Sequence, residues 1–361
     1  MRKLPILSSG EILSSPKNEY TIIKHLGGGG FGDVYRIEDD KNYILALKLR
    51  KIKQEVESQG ESFEVCERTF EREYEIMAKD LKGCSYTPEI FEPIFDYVFQ
   101  NGETTRVIAM ELAEGENLYT ISLKGNVSIK DAVRWTIEIL KALEWIHNKN
   151  IVWRDAKLEN VILTPQGKIK ILDFGAATKK KSASMRRTTV APLTIKYSSP
   201  QAFSGKTATD PRDDIFSVGA VLAELLIGQE PEPFENPDKD IQIPPPLDIN
   251  SPKMITGCLK AKNAQISDDL EQIVFKAKRF SRDDRYQTAE EMRKDLEAFL
   301  SGGIQMSKLV QAATPLFQQP SKISKAVIAF GNSGLGTCYN CGAEVYQKDR
   351  FCHTCGARIK K

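Results

Sequence analysis

Trp153-Arg154-Asp155-Ala156-Lys157-Leu158-Glu159-Asn160 sets a carboxylate and a carboxamide five residues apart between two contrasting patterns. Before it, Ser128 to His147 places Val133, Ile137 and Leu140 on one stripe and Ile139, Leu143 and Ile146 beside it. That is the period of a helix buried on a broad face. After it, Val161-Ile162-Leu163 resumes apolar strand character, so the motif occupies a loop. Asp173-Phe174-Gly175, Ser199-Pro200-Gln201 and Asp214 follow in order. Upstream stand Gly27-Gly28-Gly29-Gly30-Phe31-Gly32-Asp33-Val34, then Leu45-Ala46-Leu47-Lys48, then Glu73.

Alternation at Tyr20-Ile22 and Val34-Arg36-Ile37, then the run Tyr43 to Leu49, predicts three strands of an antiparallel meander. Gly27, Gly29 and Gly32 therefore join two strands rather than a strand and a helix. This argues against a dinucleotide fold and for a flap over phosphates, which a backbone without Cβ can approach closely. Lys48 sits in an apolar strand, where an unpaired ammonium is costly. Arg68 to Lys79 carries Phe70, Tyr74 and Met77 at helical spacing and would present Glu73 to it, with Glu71 and Glu75 as rivals. Two more strands are expected near Ile90 to Phe99 and Thr105 to Glu111, and Met110 to Asn117 reads as a hinge. Helical patterns follow at Pro211 to Ile227, Asp268 to Arg279 and Thr288 to Leu300. Ser58-Gln59-Gly60-Glu61-Ser62 reads as a polar, mobile loop.

A phosphate cradle, a cationic clamp, a carboxylate base and two metal-ligand positions in this succession are the parts needed to move the γ-phosphoryl of ATP. From Tyr20 to Leu300 the chain resembles the Hanks-type Ser/Thr protein kinases and is similar to bacterial members of that family. The resemblance implies an α+β, two-lobed kinase fold, with a β-rich N-lobe over 18–110 and a helical C-lobe over 118–300. The domain would span 18–300, after an N-terminal segment, 1–17. It implies that Asp155 accepts the substrate hydroxyl proton, that Lys157 neutralises the migrating phosphoryl, and that Lys48, paired with Glu73, orients the α- and β-phosphates. Asn160 and Asp173 would hold Mg2+. Gly27, Gly29, Phe31, Gly32, Val34, Ala46, Lys48, Glu111, Ala113, Asn160 and Asp173 would make up the nucleotide site. Protein substrates follow from the same resemblance.

Four residues depart from the family pattern: Trp153 stands for His, Leu158 for Pro, Gln201 for Glu and Leu193 for Gly. Trp153 is expected to fill a packing position, and Gln201 to meet Arg285 in a neutral hydrogen bond instead of an ion pair. If the departures end catalysis, the alternative is a nucleotide-sensing pseudokinase scaffold; intact Lys48, Asp155, Asn160 and Asp173 argue against it. Lys179 to Thr189 is basic, and phosphate on Thr188 or Thr189 would supply a counter-charge to Arg154.

Seven cysteines, an odd number, argue against a disulfide framework. Cys66, Cys84 and Cys258 stand alone, but Cys338-x-x-Cys341 and Cys352-x-x-Cys355 each precede a glycine. Such knuckles supply the closed tetrahedral set of a structural Zn2+, and the segment 337–361 resembles a small zinc ribbon. A redox role for the two pairs is the rival. Residues 301–336, rich in Ser, Gln, Gly, Pro and Lys, read as a linker. The ribbon reads as docking a protein partner or self-associating; a nucleic-acid-binding role, with the kinase domain as regulator, is the other alternative, although its basic surface has few aromatics for stacking.

With 361 residues, 41% apolar and 28% charged, the chain can bury a large core, and its net charge of +2 points to neither nucleic acid nor membrane. Met1 to Asn18 lacks an export signal, and Ile215 to Ile227, interrupted by Ser217 and Glu224, is too short to span a bilayer. A cytoplasmic protein without a membrane partner is the expectation.

Overall fold

The computed structural model describes residues 7–125, 127–179, 196–204, 208–228, 259–279, 281–302, 335–337 and 344–346. Thr188, Thr189, Leu193, the isolated Cys258 and Cys338, Cys341, Cys352 and Cys355 lie outside them.

The N-terminal half is one six-stranded sheet in the order β1-β2-β3-β4-β6-β5. Its strands are β1 (Ile12–Ser14), β2 (Glu19–Gly28), β3 (Gly32–Asp39), β4 (Ile44–Arg50), β5 (Phe95–Val98) and β6 (Thr104–Glu111). All pairs are antiparallel. Alternation along β4 puts Leu45, Leu47 and Leu49 into a core with Leu13, Tyr20, Ile22 and Ile37 on one face. Ala46 turns to the other face, into the cluster that continues through the helical half. Lys48 shares that second face and is met there by Glu73.

Two elements here lie outside the sequence reading. Strand β1 extends the sheet at its edge, with Leu13 fully buried. A short helix, α1 (Lys53–Ser58), follows β4 directly and buries Val56. Six residues are too few to show a helical stripe, so only the polar stretch beyond was visible. The next helix, α2, runs Phe63–Glu75 and continues as a π-helical turn, Ile76–Asp80, so the expected helix exists but starts earlier and widens at its end. Strand expectation around Ile90 contracts to an isolated bridge between Ile90 and Met110 ahead of β5.

Beyond the hinge come β7 (Glu116–Asn117), α3 (Leu118–Leu123), α4 (Ile129–Asn148), β8 (Ile151–Val152), β9 (Val161–Leu163), β10 (Ile169–Ile171) and β11 (Thr178–Lys179). The helices α5 (Pro200–Ser204), α6 (Pro211–Ile227), α7 (Leu259–Lys262), α8 (Asp268–Ala277) and α9 (Ala289–Leu300) follow. Helix α6 is the axis of this half: every residue from Asp213 to Leu226 is buried. Its ends are set by chemistry. Asp210 accepts from Arg212 N at 2.9 Å as N-cap, Pro211 takes the first turn, and Gly228 closes the helix at φ 64°. Helices α4 and α8 pack against it, α9 packs against both α4 and α8, and Arg293 ties α9 to Glu144 of α4 at 2.6 Å.

Among the described residues, no helix is long and apolar enough to cross a membrane. Separately, β12 (Leu335–Thr337) and β13 (Glu344–Tyr346) pair as an antiparallel ladder.

Candidate active site

The cleft is assembled from three directions. From the sheet, Lys48 Nζ donates to both carboxylate oxygens of Glu73, at 2.7 and 2.5 Å. The side chains are only 12% and 4% exposed, so the ion pair is essentially dry. Burial alone would lower the Lys48 pKa, but the carboxylates of Glu73 and then Asp173 more than offset it and hold the ammonium charged. Of the three candidate carboxylates on the helix, Glu73 turns inward; Glu71 bonds Arg106 and Glu75 bonds Lys79.

From the helical half, the loop after β8 carries Asp155. Its Oδ2 accepts from Lys157 Nζ at 2.7 Å and from Asn160 Nδ2 at 2.8 Å. A further bond from Asn160 Nδ2 to the Asp155 carbonyl, 3.0 Å, closes the loop on itself. The Asn160 nitrogen is thereby used, which leaves Oδ1 as the atom suited to a cation. From the loop after β10 comes Asp173, whose Oδ1 accepts from Gly175 N at 3.1 Å. Leu172 N donates to Asn160 O at 2.8 Å, tying the two loops together. A carboxylate and an amide oxygen are hard donors that suit Mg2+, which usually takes few protein ligands and leaves the rest to water and phosphate.

Asp214 was part of the motif series but carried no role in the sequence. It is fully buried on α6 and accepts from Trp153 N (2.9 Å), Arg154 N (2.7 Å) and His147 Nε2 (2.8 Å). Burial pushes its carboxyl pKa up, and the His147 contact opposes this. One carboxylate thus fixes the start of the loop that carries Asp155. Arg154 and Asp173 both take left-handed backbone, φ 72° and 62°. Non-glycine residues in that region cost free energy and persist only where their surroundings over-determine them.

The glycine-rich turn joins β2 to β3 as expected. Gly27 has φ 152°, a region closed to other residues, and a Cβ there, or at Gly29 or Gly30, would meet no protein atom within 4 Å. The space above the turn is therefore open to a ligand. Gly32 is required for another reason: its Cβ would stand 2.4 Å from Leu49 O on β4. Phe31 sits at the tip, its carbonyl bonded to Lys51 N at 3.1 Å. Val34, Ala46, Met110 and Leu163 belong to one apolar cluster between the lobes.

Hinge residue Glu111 points its side chain away from this cleft, accepting from Lys170 Nζ at 2.8 Å and Glu89 N at 3.1 Å. It lines, with Ala113, Tyr43, Phe91 and Lys170, a groove of about 930 Å3 that none of Lys48, Glu73, Asp155, Asn160 or Asp173 borders.

Gln201 accepts from Arg285 Nη2 at 2.5 Å, the neutral contact expected. The missing charge is supplied by a residue that sequence reasoning passed over. Asp213 on α6 accepts from Arg285 at 3.3 Å, Arg282 at 2.6 Å and Ser199 at 2.7 Å. The only signal in the sequence was a buried-type arginine facing an uncharged Gln. Arg154 Nη1 donates to Ala176 O at 3.1 Å, while its Nε and Nη2 are buried without hydrogen-bond partners among the described residues. Among the described residues no group of three or more His, Cys, Asp or Glu forms a metal cluster, and the cysteine set lies outside them.

The family model for the protein kinase domain matches residues 20–296. A probable serine/threonine-protein kinase of Clostridium perfringens is 30% identical over 299 residues, covering 80% of this chain and 39% of that protein. A probable serine/threonine-protein kinase PknB of Lactococcus lactis is 29% identical, over 77% of this chain and 42% of that protein. The serine/threonine-protein kinase PrkC of Bacillus subtilis is 27% identical, over 77% and 40%. The chain thus spans about two fifths of the length of these relatives. With its sheet, its central α6 and its paired Lys48 and Glu73 beside Asp155, Asn160 and Asp173, the chain belongs to the protein kinase domain family.

Proposed function

We propose that this chain transfers the γ-phosphoryl of Mg-ATP to serine and threonine hydroxyls of proteins. The observation that carries this is the dry, bidentate Lys48–Glu73 ion pair facing Asp173, in the same cleft as the linked trio Asp155, Lys157 and Asn160. A pseudokinase scaffold would have no use for all of these groups in working arrangement. Mg-ATP would bring the transferable phosphoryl and the cationic charge that Asp173 and Asn160 are suited to hold. Val34 and Ala46 offer apolar surface to a base, the backbone at Glu111 to Ala113 edges it, and Gly27, Gly29, Phe31 and Gly32 cover phosphates. Lys48 orients phosphate oxygens, with Glu73 holding its ammonium in place. Asp155 takes the hydroxyl proton at Oδ2 or Oδ1, and Lys157, bonded to the same carboxylate, balances charge at the attacked phosphoryl.

The test is transfer from labelled ATP to the protein itself or to a generic basic protein. Asp155→Asn should lower it by about 10²-fold or more; undiminished transfer would remove Asp155 from this role.

Regulation and the C-terminal module form part of the same reading. The orphaned Nε and Nη2 of Arg154 support an anion partner from a phosphorylated Thr188 or Thr189, because buried guanidinium donors without acceptors are costly. Residues 18–300 form the kinase domain, 301–336 a linker, and 337–361 a ribbon on one Zn2+ held by Cys338, Cys341, Cys352 and Cys355. The ladder between β12 and β13, which brackets Cys338 and Cys341, supports that module. Its partner is a protein, and the chain works in the cytoplasm.

A further inference from the structure

We infer that His25 is a positioning residue for the phosphate flap: its ring N–H holds the Asp33 carboxylate in the space above Gly28, and this clasp sets the base of the glycine turn from the face turned away from the nucleotide. The inference deepens the proposed function and rests on that reading of the cleft.

Towards the turn, β2 and β3 pair His25 with Tyr35, Gly27 with Val34 and Gly28 with Asp33, and Leu26 is the extra residue of a bulge. Side chains alternate along β3, so Val34, opposite Lys48, faces the cleft, while Asp33 and Tyr35 face away from it. Their partners Gly28 and His25 share that outer face. The imidazole can therefore reach past a residue without a side chain to the carboxylate beyond. Its Nε2 stands 2.8 Å from Asp33 Oδ1, and since a carboxylate only accepts, Nε2 carries the hydrogen. Gly28 makes room for this bond: a Cβ there would lie 2.3 Å from Asp33 Oδ1, although the residue's own φ is outside the left-handed region. Gly27 is needed for its backbone freedom, Gly28 for empty space on the side opposite the phosphates.

An ion pair open to water on a hairpin is usually worth little, because two free side chains must be ordered to make it. Here the side chains are 33% and 19% exposed, and both are held beforehand. The His25 ring lies against Tyr35, with centroids 4.9 Å apart and planes at 56°, and Tyr35 is fixed in the core of the sheet. The Asp33 carboxylate fills the place of the missing Gly28 side chain. At the far end of the turn, Phe31 O accepts from Lys51 N at 3.1 Å, and Gly29 N donates to Gly32 O at 2.9 Å. The turn is thus tied at its tip through Lys51 and at its base through the clasp, with Gly27 to Gly30 between the two. Backbone held at both ends loses less freedom when it meets phosphates.

The test uses the full chain and two probes, ADP with Mg2+ and adenosine, titrated by calorimetry beside the KM and kcat for ATP. His25→Ala removes the donor, His25→Gln restores an N–H within the same reach, and Gly28→Ala puts a methyl where the carboxylate lies while keeping both partners. His25→Ala and Gly28→Ala should each weaken ADP binding about fivefold and raise the KM for ATP by a similar factor, with adenosine binding and kcat within about twofold of wild type, since the flap meets phosphates rather than the base. His25→Gln should recover most of the loss, and the double variant His25→Ala, Gly28→Ala should lose no more than either single one. Unchanged ADP affinity in folded His25→Ala would overturn the inference. So would equal losses for ADP and adenosine, the mark of general loosening, or losses that add in the double variant. If His25→Ala shows no cooperative unfolding, Gly28→Ala decides alone: a loss confined to ADP supports the clasp, and wild-type ADP binding or an equal loss of both probes rejects it. A wild-type chain that binds Mg-ADP but transfers nothing would defeat the kinase reading and leave the clasp measurable by calorimetry.

Discussion

Lys48→Met tests the dryness of the ion pair as well as its use. The substitution leaves the Glu73 carboxylate, 4% exposed, facing Asp173 without a cation. Removing one partner of such a buried pair costs about 3–5 kcal/mol, whereas replacing both by apolar groups is close to neutral. At about 2–4 °C per kcal/mol for a domain of this size, Lys48→Met should lower the Tm by on the order of 10 °C. The double variant Lys48→Met, Glu73→Leu should recover much of that, giving a coupling energy of at least about 1 kcal/mol in the cycle. The sign with pH follows from the orphaned acid. Without Lys48 the folded Glu73 pKa lies above its unfolded value, so stability falls as pH rises through that window, and the defect should be larger at pH 7 than at pH 5. Thermal unfolding by circular dichroism, at both pH values and without nucleotide, reads all three effects. Single variants that each cost under about 1 kcal/mol and add without coupling would refute the buried pair. Transfer should be lost in Lys48→Met and in the double variant, because neither can orient the phosphates.

Other expectations concern parts of the chain away from that pair. Glu224, buried on α6 and bonded by Tyr197 OH at 2.5 Å, has its pKa pushed up to about 7 by burial. A raised acid makes the fold lose stability as pH climbs from about 4.5 to about 7, by up to ~3 kcal/mol, and Glu224→Gln should flatten that slope in denaturant melts. The Thr188→Ala, Thr189→Ala double variant should activate more slowly; absence of phosphate on residues 182–194 of active enzyme, by mass spectrometry, would count against the switch. Purified protein should hold about one equivalent of zinc, which Cys338→Ser should release. Truncation after Gly302 should leave basal transfer intact, and its complete loss would show that the module supports the kinase lobes.

Much of the site was legible because its chemistry is local in sequence. Asp155, Lys157 and Asn160 fall within one loop, where the structure bonds them to one another. The glycine turn announced itself by composition, and the meander by alternation. Helix α6 was legible too, from Pro211, its apolar run and Gly228. Short elements were not: α1, α3 and β1 hold six residues or fewer, below the length at which a period can be counted.

By itself, then, the sequence determined which residue types are present in which order, and hence the family and the chemistry open to it. The tertiary structure decided which of equivalent groups do the work. Three glutamates on one helix were candidates for Lys48, and the seating of α2 against the sheet chose Glu73. Packing also decided that Trp153 is a donor as well as a filler, that Asp214 gathers three hydrogens, and that Asp213 replaces the charge absent from Gln201. These contacts span 20 to 72 residues of chain. Which carboxylate is desolvated, and which meets solvent, depends on how the elements close over it, and no periodicity in the chain encodes that closure.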